Sequence, residues 1–292
     1  QLDRLLQSTM TELALASLRR GEDVGETVQT IRAKNLSLQR ERTALLRTLG
    51  FSEDALDDHP FCPKCGDTGW RGAQMCECLK ELCAQEQIQE LSKLLDLGEQ
   101  SFDTFHMDYY SQTPYPGLPS PRENMELVYE VCLNYAQKFG RFPIRNLFLT
   151  GAPGLGKTFL SACIARTVSE AGYSVVYDTA GNIFAQFEAR KFQRDSADGQ
   201  EARDETRRYL NCDLLILDDL GSELTTQFTQ SALYELVNGR LVGEKHTVIS
   251  TNLSLEEVAR RYIPQIASRL EGEYHALHFF GDDIRLMKKQ RM

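Results

Sequence analysis

The spacing of apolar residues divides the chain into a helical first part and a later part in which strands and helices alternate. Residues 1–20 and 24–49 each carry apolar side chains at helical intervals, with an interruption at Gly21. The second of these stretches has a coiled-coil-like seam. We therefore expect two long helices, which either pack on each other as an antiparallel hairpin or offer part of the seam to the helices of a partner.

From Glu123 onward, short apolar runs alternate with helical stretches. The runs predict strands at residues 146–150, 174–178, 213–218, 247–251 and 276–280. Nearly continuous apolar strands separated by helices are typical of a parallel sheet that is covered on both faces. The predicted fold class is therefore α/β, with a small, mainly helical domain before the sheet domain.

Proline usage suggests where the two domains meet. Residues 98–122 contain four of the nine prolines and are predicted to form a linker. The predicted domains are then residues 1–97, which end in a third helix near 79–97, and residues 123–292. The linker also carries aromatic side chains that are available to pack onto the second domain, namely Phe102, Phe105, Tyr109 and Tyr110.

Composition and charge exclude several classes of protein. The chain has 292 residues, of which 41% are hydrophobic, so it can bury a large core and is not disordered. It contains neither an apolar run of roughly 18–20 residues, as a membrane span needs, nor the apolar core of a signal peptide. We therefore expect a cytoplasmic protein with no membrane partner. The net charge of −9 argues against DNA binding by bulk charge, so any nucleic-acid contact is local or shared among subunits.

A phosphate-binding loop is the most specific motif of the chain. Residues 151–158 read GAPGLGKT, which matches G-x-x-x-x-G-K-[ST] between a predicted strand and a predicted helix. The glycines let backbone N–H groups face a phosphate, and the helix N-terminus adds positive potential. Lys157 is expected to reach the β- and γ-phosphates of a nucleotide, and Thr158 to bind Mg²⁺. The predicted nucleotide-binding residues of the loop are Gly151, Gly154, Leu155, Gly156, Lys157, Thr158 and Phe159.

Polar side chains follow two further apolar runs. Asp218 and Asp219 come after residues 214–217, and Asn252 comes after residues 248–251. Asp218 is expected to hold Mg²⁺, and Asp219 to orient or deprotonate the attacking water. Because parallel strands deliver ligands at their carboxyl ends, Asn252 is expected beside the γ-phosphate, where it can hold that water. The alternatives are two helix-capping acids and a polar residue in a surface turn.

Four of the eight cysteines cluster in the pattern C-x₂-C-x₁₀-C-x-C. They are Cys62, Cys65, Cys76 and Cys78. In a cytosolic chain such a cluster indicates a metal rather than disulfides, and four thiolates suit tetrahedral Zn²⁺. The segment has little apolar content, so metal binding would supply its folding energy. An iron–sulfur cluster and metal-free thiols remain alternatives. Because the C-x-C half is short, His59 or Cys83 could replace one ligand.

With its phosphate loop, the LDDLG run at residues 217–221 and a short C-terminal part, the chain resembles AAA+ ATPases. Among them it is most similar to the bacterial replicative-helicase loaders of the DnaC/DnaI type, with the IstB transposition helpers nearby. The resemblance is strong over residues 100–292 and looser before them. Only twelve residues follow Phe280, so the usual helical lid is expected to be nearly absent.

The resemblance implies an ATPase that loads the hexameric replicative helicase onto single-stranded DNA in bacterial or phage replication initiation. It also implies self-association through the AAA+ domain. One alternative is a transposition helper that binds duplex DNA and a transposase. A second is an adaptor that binds ATP without useful turnover. Asp219 stands where most AAA+ proteins have Glu and is one methylene shorter, so turnover is expected to be slow.

Two arginine roles follow from the same resemblance. Arg269 lies where the family has its arginine finger, which reaches the γ-phosphate of the neighbouring subunit and stabilises charge on the transferring phosphoryl group. Arg285 matches the second sensor arginine, which contacts the phosphates of its own subunit. Surface salt bridges are the alternative for both residues. Arg260 and Arg261 compete with Arg269 for the finger role.

The resemblance also points to contacts of the N-terminal part and of residues 182–192. Loaders have an extra helical element at the latter place that lines a channel for single-stranded DNA. Its aromatic and basic residues, which suit base stacking and phosphate contact, are Phe184, Phe187, Arg190 and Lys191. In the alternative, this is an amphipathic helix whose aromatic rings belong to the core. DnaI-type loaders carry zinc in the helicase-binding N-terminal domain, which the cysteine cluster would match.

Overall fold

The computed structural model describes residues 2–18, 24–52, 54–56, 60–95, 100–192 and 197–291. Contacts within the chain divide it into two compact units, residues 1–68 and 69–292. The domain borders predicted at 97 and 122 stay a prediction. None of the helices in the described ranges has both the length and the apolar character that a membrane span requires.

The first unit contains the two predicted helices, α1 (Leu2–Leu18) and α2 (Val24–Thr48). Asn35 of α2 donates from Nδ2 to Oγ1 of the buried Thr9, at 2.5 Å. Lys34 Nζ lies 3.0 Å from a carboxylate oxygen of Glu12. Later residues of α1 thus pair with earlier residues of α2, as in an antiparallel hairpin. The expectation that the two helices pack on each other is confirmed.

The second unit begins with a short antiparallel hairpin and a helix, followed by the α/β domain. The hairpin and the first helices are β1 (Trp70–Arg71), β2 (Gln74–Met75), α3 (Glu77–Leu95) and α4 (Pro121–Gln137). The larger sheet has β3 (Leu147–Gly151), β4 (Val175–Thr179), β5 (Leu214–Leu220), β6 (His246–Thr251) and β7 (His275–Phe279). The remaining helices are α5 (Lys157–Glu170), α6 (Ala180–Phe192), α7 (Ala197–Asn211), α8 (Gln227–Val242), α9 (Leu255–Arg261), α10 (Pro264–Glu273) and α11 (Ile284–Arg291).

The larger sheet is parallel, with strand order β4-β5-β6-β3-β7. All five predicted strands are present within one residue at their starts and two at their ends. The order places β6 between β3 and β5, although β6 comes last of the three in the chain. The register pairs Thr150 with Thr251 and shifts between Leu217 and Leu220. The carboxyl ends of β3, β5 and β6 therefore meet at one edge of the sheet.

Two apolar cores cover the two faces of this sheet. Alternate residues of β3 point to opposite faces, so Leu147 and Leu149 join one core while Phe148 joins the other. Helices α4 and α5 contribute to the first core, and α6 and α8 contribute to the second. The predicted α/β class, with a parallel sheet covered on both faces, is confirmed.

The segment predicted as a linker packs onto the first core. Phe102 and Tyr110 are buried members of it, and Phe105 and Tyr109 pack against it. The Tyr110 hydroxyl donates to the carbonyl oxygen of Leu155, at 2.9 Å. The expectation that these four aromatic residues pack onto the following domain is confirmed, and Tyr110 also fixes the segment to the phosphate-binding loop.

A buried arginine fixes α8 below the sheet. Arg240 is fully buried and donates to the carbonyl oxygens of Tyr209 (2.5 Å), Cys212 (3.2 Å) and His246 (2.6 Å). It also donates to the Thr247 hydroxyl at 3.0 Å. These bonds join α8 to the amino ends of β5 and β6. The position of α8 matters because its side chains bind two predicted functional arginines from other helices, Arg269 and Arg190.

Candidate nucleotide-binding site

The phosphate-binding loop runs from the end of β3 to the start of α5. Gly154 and Gly156 have φ of +77° and +93°, which favour glycine. A Cβ at Gly154 would collide with the Asp283 carboxylate, and one at Gly156 would lie 2.8 Å from the Tyr110 hydroxyl. Gly156 is the N-cap of α5, so the loop delivers the helix N-terminus, a site of positive potential, to the cavity.

Lys157 is held inside the loop by three oxygen atoms. Its Nζ donates to the carbonyl oxygens of Gly151 (2.5 Å) and Ala152 (2.8 Å) and to Oδ1 of Asn252 (2.8 Å). Burial lowers the pKa of Lys157 to about 8, against the opposing pull of Asp218 and Asp219. The ammonium group is thus charged at neutral pH but close to deprotonation.

Asp218 receives hydrogen bonds on both of its carboxylate oxygens. Oδ2 accepts from the hydroxyls of Thr158 (3.3 Å) and Tyr177 (2.6 Å), and Oδ1 accepts from the Ser250 hydroxyl. Burial and the nearby Asp218 charge raise the pKa of Tyr177 well above its ordinary value, so its hydroxyl stays a donor. The two predicted Mg²⁺ ligands, Thr158 and Asp218, are therefore in direct contact.

Tyr177 and Ser250 were not predicted from the sequence. Each is a polar residue within a mostly buried strand, β4 or β6. That pattern is a usable signal, since a buried hydroxyl needs a partner. The strand order that selects Asp218 as this partner is not visible in the sequence.

Asp219 and Asn252 complete the carboxyl edge of the sheet. Asp219 has a left-handed backbone, with φ of +57°, and its N–H donates to the Ser250 hydroxyl at 3.2 Å. Asn252 Nδ2 donates to Oδ1 of Asp219 at 3.3 Å. Asn252 therefore bridges Lys157 and Asp219, while its place beside the γ-phosphate stays a prediction.

These groups line one cavity of about 600 Å³. The cavity walls include the loop, Asp218, Asp219, Asn252 and Arg285, whose side chain is otherwise exposed. The sequence did not predict the remaining wall of the cavity. It comes from the segment that was predicted to be a linker, residues 98–122, and from α11. Its residues include Gln100, Thr104, Phe105, His106, Tyr109, Ile284 and Lys288.

Arg269 lies in a different surface groove, on α10. Its Nε and Nη2 donate to Oδ1 of Asn238 at 3.1 and 2.7 Å, and Nη2 donates to the Tyr234 hydroxyl at 3.1 Å. Its guanidinium also covers the Tyr234 ring at 4.7 Å. The competitor Arg261 is bound by Thr225 and by the carbonyl oxygen of Glu223. Arg260 is exposed.

The structure corrects half of the predicted DNA contacts. Phe184 and Phe187 are 3% and 1% exposed, because the apolar face of α6 packs into the second core. These rings are core residues and cannot stack on bases from there. Arg190 covers the Phe187 ring and pairs with Glu235 at 2.8 Å. Lys191 is exposed and lies 5.2 Å from the Phe228 ring centre.

The sulfur atoms of Cys62, Cys65, Cys76 and Cys78 all lie within 4.8 Å of one another. A tetrahedral zinc ion with Zn–S bonds of about 2.3 Å would space them by about 3.8 Å, so this set fits such an ion. The Asp67 carboxylate accepts from the N–H groups of Phe61 (2.9 Å) and Cys62 (2.8 Å), which shapes the first turn.

Cys83 and His59 were the two residues that could replace one cysteine as a metal ligand. Cys83 is exposed on α3 and belongs to no metal-ligating group among the described residues. His59 lies outside the part of the chain that the structure describes.

Comparison with known proteins places residues 142–291 in a family described as IstB-like ATP binding protein. The chain is 27% identical over 125 residues to Uncharacterized protein YdaV of Escherichia coli K12, which is 43% of this chain and 48% of that protein. It is 24% identical over 127 residues to Replicative helicase loader DnaC of Escherichia coli K12, which is 44% of this chain and 50% of that protein. The chain thus matches about half the length of these curated relatives.

A solved structure of the DnaC helicase loader is also similar. Its TM-score is 0.50 at 19% sequence identity, and the match covers 62% of this chain and 97% of that chain. At this identity the likeness concerns the fold alone. Together with the observed sheet and phosphate loop, it confirms the predicted P-loop AAA+ fold.

The pKa of Lys157 predicts how nucleotide affinity depends on pH. As the pH rises from 7 to 9, the free protein loses the Lys157 charge, and ATP affinity should fall roughly tenfold. Titration with a fluorescent ATP analogue measures this change. The control is Lys157→Arg, which keeps its charge over this range, so its affinity should change little between the two pH values. Equal affinity of the wild-type protein at pH 7 and 9 would contradict the assignment.

Proposed function

The chain belongs to the family of IstB-like ATP-binding proteins, and from this premise we propose that it is an ATPase that loads the replicative helicase onto single-stranded DNA. The observation that carries the ATPase part is the convergence of Lys157, Thr158, Asp218 and Asn252 on one cavity. The loader part is proposed from the similarity to the helicase loader DnaC and from the cysteine cluster. The setting would be replication initiation on a bacterial or phage chromosome.

Each residue of the cavity has a proposed role. Lys157 exchanges its bonds to Asn252 and to two backbone carbonyls for bonds to the β- and γ-phosphates. Thr158 and Asp218 would hold Mg²⁺, which neutralises phosphate charge. Asp219 is the proposed base for the attacking water, with Asn252 orienting that water and Arg285 contacting the phosphates.

The same contacts favour slow hydrolysis. The Asp219 carboxylate is bonded to Asn252 and sits on a short side chain, so its reach toward a water is limited. A regulated, slow ATPase suits a protein that holds an assembly in the ATP state and releases it after hydrolysis. Binding of DNA or of the helicase is the proposed trigger for turnover.

Completion of this site by a neighbouring subunit is proposed from the position of Arg269. Its guanidinium lies in a groove of its own, held by Asn238 and Tyr234 on α8. A finger that acts on the next subunit must lie outside the cavity of its own chain. Self-association through the AAA+ domain would bring it to the neighbour's γ-phosphate.

The DNA contact is proposed to involve Arg190 and Lys191 without the two phenylalanines. These cations, with Arg203 and Phe228, line a cavity of about 450 Å³. Glu235 pairs with Arg190 in the absence of DNA, so a phosphate would have to replace that carboxylate. One such patch per subunit is weak, but an oligomer would repeat it along the strand.

Mixing two inactive variants tests the proposed finger. Arg269→Ala should lower the rate of ATP hydrolysis by about 10³-fold or more, because a transition-state contact is lost. Lys157→Ala should be inactive because it does not hold phosphate. The Arg269→Ala chain keeps an intact phosphate-binding loop, and the Lys157→Ala chain keeps the finger. In a mixed assembly the second chain can complete the site of the first, so the mixture should regain activity, as measured by phosphate release.

The matched control for this experiment is Arg260→Ala, which removes an exposed arginine of α9 and should keep wild-type activity. Full activity of Arg269→Ala alone, or a mixture that stays inactive, would contradict a finger that acts between subunits.

The cysteine cluster is proposed to hold structural zinc in the helicase-binding part of the chain. Native mass spectrometry should find one zinc ion per wild-type chain and none in Cys76→Ser, because a thiolate ligand is lost. Cys83→Ser changes an exposed thiol outside the cluster and should retain the ion. A bound iron–sulfur cluster, or zinc retained by Cys76→Ser, would overturn the assignment.

Mass measurement of the ATP-bound protein mixed with the hexameric replicative helicase of its source tests the loader function. We expect a complex that forms with wild-type protein and Cys83→Ser and weakens at least tenfold with Cys76→Ser. The family match also favours a second candidate, an IstB-like transposition helper. Binding to duplex DNA and a transposase, without binding to the helicase, would select that candidate.

A further inference from the structure

Gln100 places an amide oxygen without a partner beside the proposed nucleotide cavity. Its Oε1 is buried and accepts no hydrogen bond. The residue itself lines the cavity together with the phosphate-binding loop. A buried amide oxygen that has lost water and gained no donor is unfavourable, and such groups require an explanation. A ligand that brings an N–H donor into this part of the cavity would supply one.

The cavity that Gln100 lines also has aromatic and apolar walls that suit a flat ring. Phe105 is stacked on Tyr110 with ring centres 5.8 Å apart and planes 16° apart. It also packs against Tyr129 and Phe159, at 5.2 and 5.6 Å. These contacts fix its position. Ile284 and Tyr109 add further apolar wall, so the cavity offers apolar surface for a ring and an oxygen that accepts a hydrogen bond.

Two other polar groups of this cavity wall, the hydroxyls of Thr104 and Tyr110, already have partners. The Thr104 hydroxyl donates to the carbonyl oxygen of Ser101 at 3.0 Å and accepts from the Ser101 N–H at 3.0 Å. The Tyr110 hydroxyl donates to Leu155. The Gln100 oxygen therefore stands out among them as an acceptor with unused capacity.

Adenine matches a glutamine amide along one edge. Its exocyclic amino group donates and its N7 accepts, so the amide oxygen and amide NH₂ can bind both groups at once. Guanine shows two acceptors, O6 and N7, on the same edge. However the amide is turned, one of those two acceptors then faces the amide oxygen, which cannot donate.

We propose that Gln100 is a specificity-determining residue that binds the exocyclic amino group of adenine and so selects ATP over GTP. This inference rests on the proposed ATP-binding function and assigns the base-reading part of the same site.

Equilibrium binding measured by calorimetry tests the proposal without requiring hydrolysis. The probes are ATP, GTP and purine riboside triphosphate, which lacks only the amino group of ATP. Wild-type protein should bind ATP about tenfold more tightly than purine riboside triphosphate, since one buried hydrogen bond is lost. GTP should bind more weakly than ATP by at least the same factor.

The variant Gln100→Met removes the amide at nearly constant length. It should bind ATP at least tenfold more weakly than wild type, and it should bind ATP and purine riboside triphosphate with equal affinity, so that the preference disappears. Gln100→Glu keeps acceptor oxygens and should keep the preference. Gln137→Leu changes an exposed glutamine at the end of α4 and should behave as wild type. If Gln100→Met does not fold by circular dichroism, Gln100→Ala replaces it.

The outcomes separate this inference from the proposed function. A wild-type protein that binds none of the three nucleotides overturns the ATP-binding function itself. A wild-type protein that binds ATP without preferring it, or a preference that survives removal of the amide, overturns the role of Gln100 and leaves the function standing.

Discussion

The buried charge of Lys157 is the constraint on which the site depends. An ammonium group without water must be surrounded by oxygen atoms, and here these come from Gly151, Ala152 and Asn252. The first two belong to the start of the phosphate loop, and the third follows β6. Lys157 thus joins the ends of two neighbouring strands, β3 and β6, and in the proposed function it would exchange these oxygens for phosphate oxygens.

A chain of hydrogen bonds extends from this lysine through the rest of the site. Asn252 links it to Asp219, the Ser250 hydroxyl links Asp219 to Asp218, and Asp218 contacts Thr158. Asp219 has a left-handed backbone, and it meets Ser250 through its N–H and Asn252 through its carboxylate. A change in the phosphate region can therefore reach both carboxylates through direct contacts, with no long-range mechanism required.

Helix α8 supports the two arginines proposed to act outside the nucleotide cavity. Tyr234 and Asn238 hold Arg269, and Glu235, one residue from Tyr234, holds Arg190. The buried Arg240 fixes the same helix to the amino ends of β5 and β6. A proposed subunit contact and a proposed DNA contact thus share α8, the first helix after Asp218 and Asp219 in the chain.

The sequence alone determined the five strands, the phosphate loop, the positions of Asp218 and Asn252 and the cysteine cluster, because each depends on local periodicity or close spacing. Tertiary structure decided the rest. Only packing shows that Phe184 and Phe187 are core residues. The same sequence pattern, a helix with aromatic residues on one face, is expected for a helix that packs into a core and for one that stacks on bases. Likewise, only the strand order brings Tyr177 to Asp218, and only the folded linker brings Gln100 to the cavity. Contacts between residues far apart in sequence leave no pattern in a single chain, because burial and hydrogen-bond partners are properties of the folded molecule.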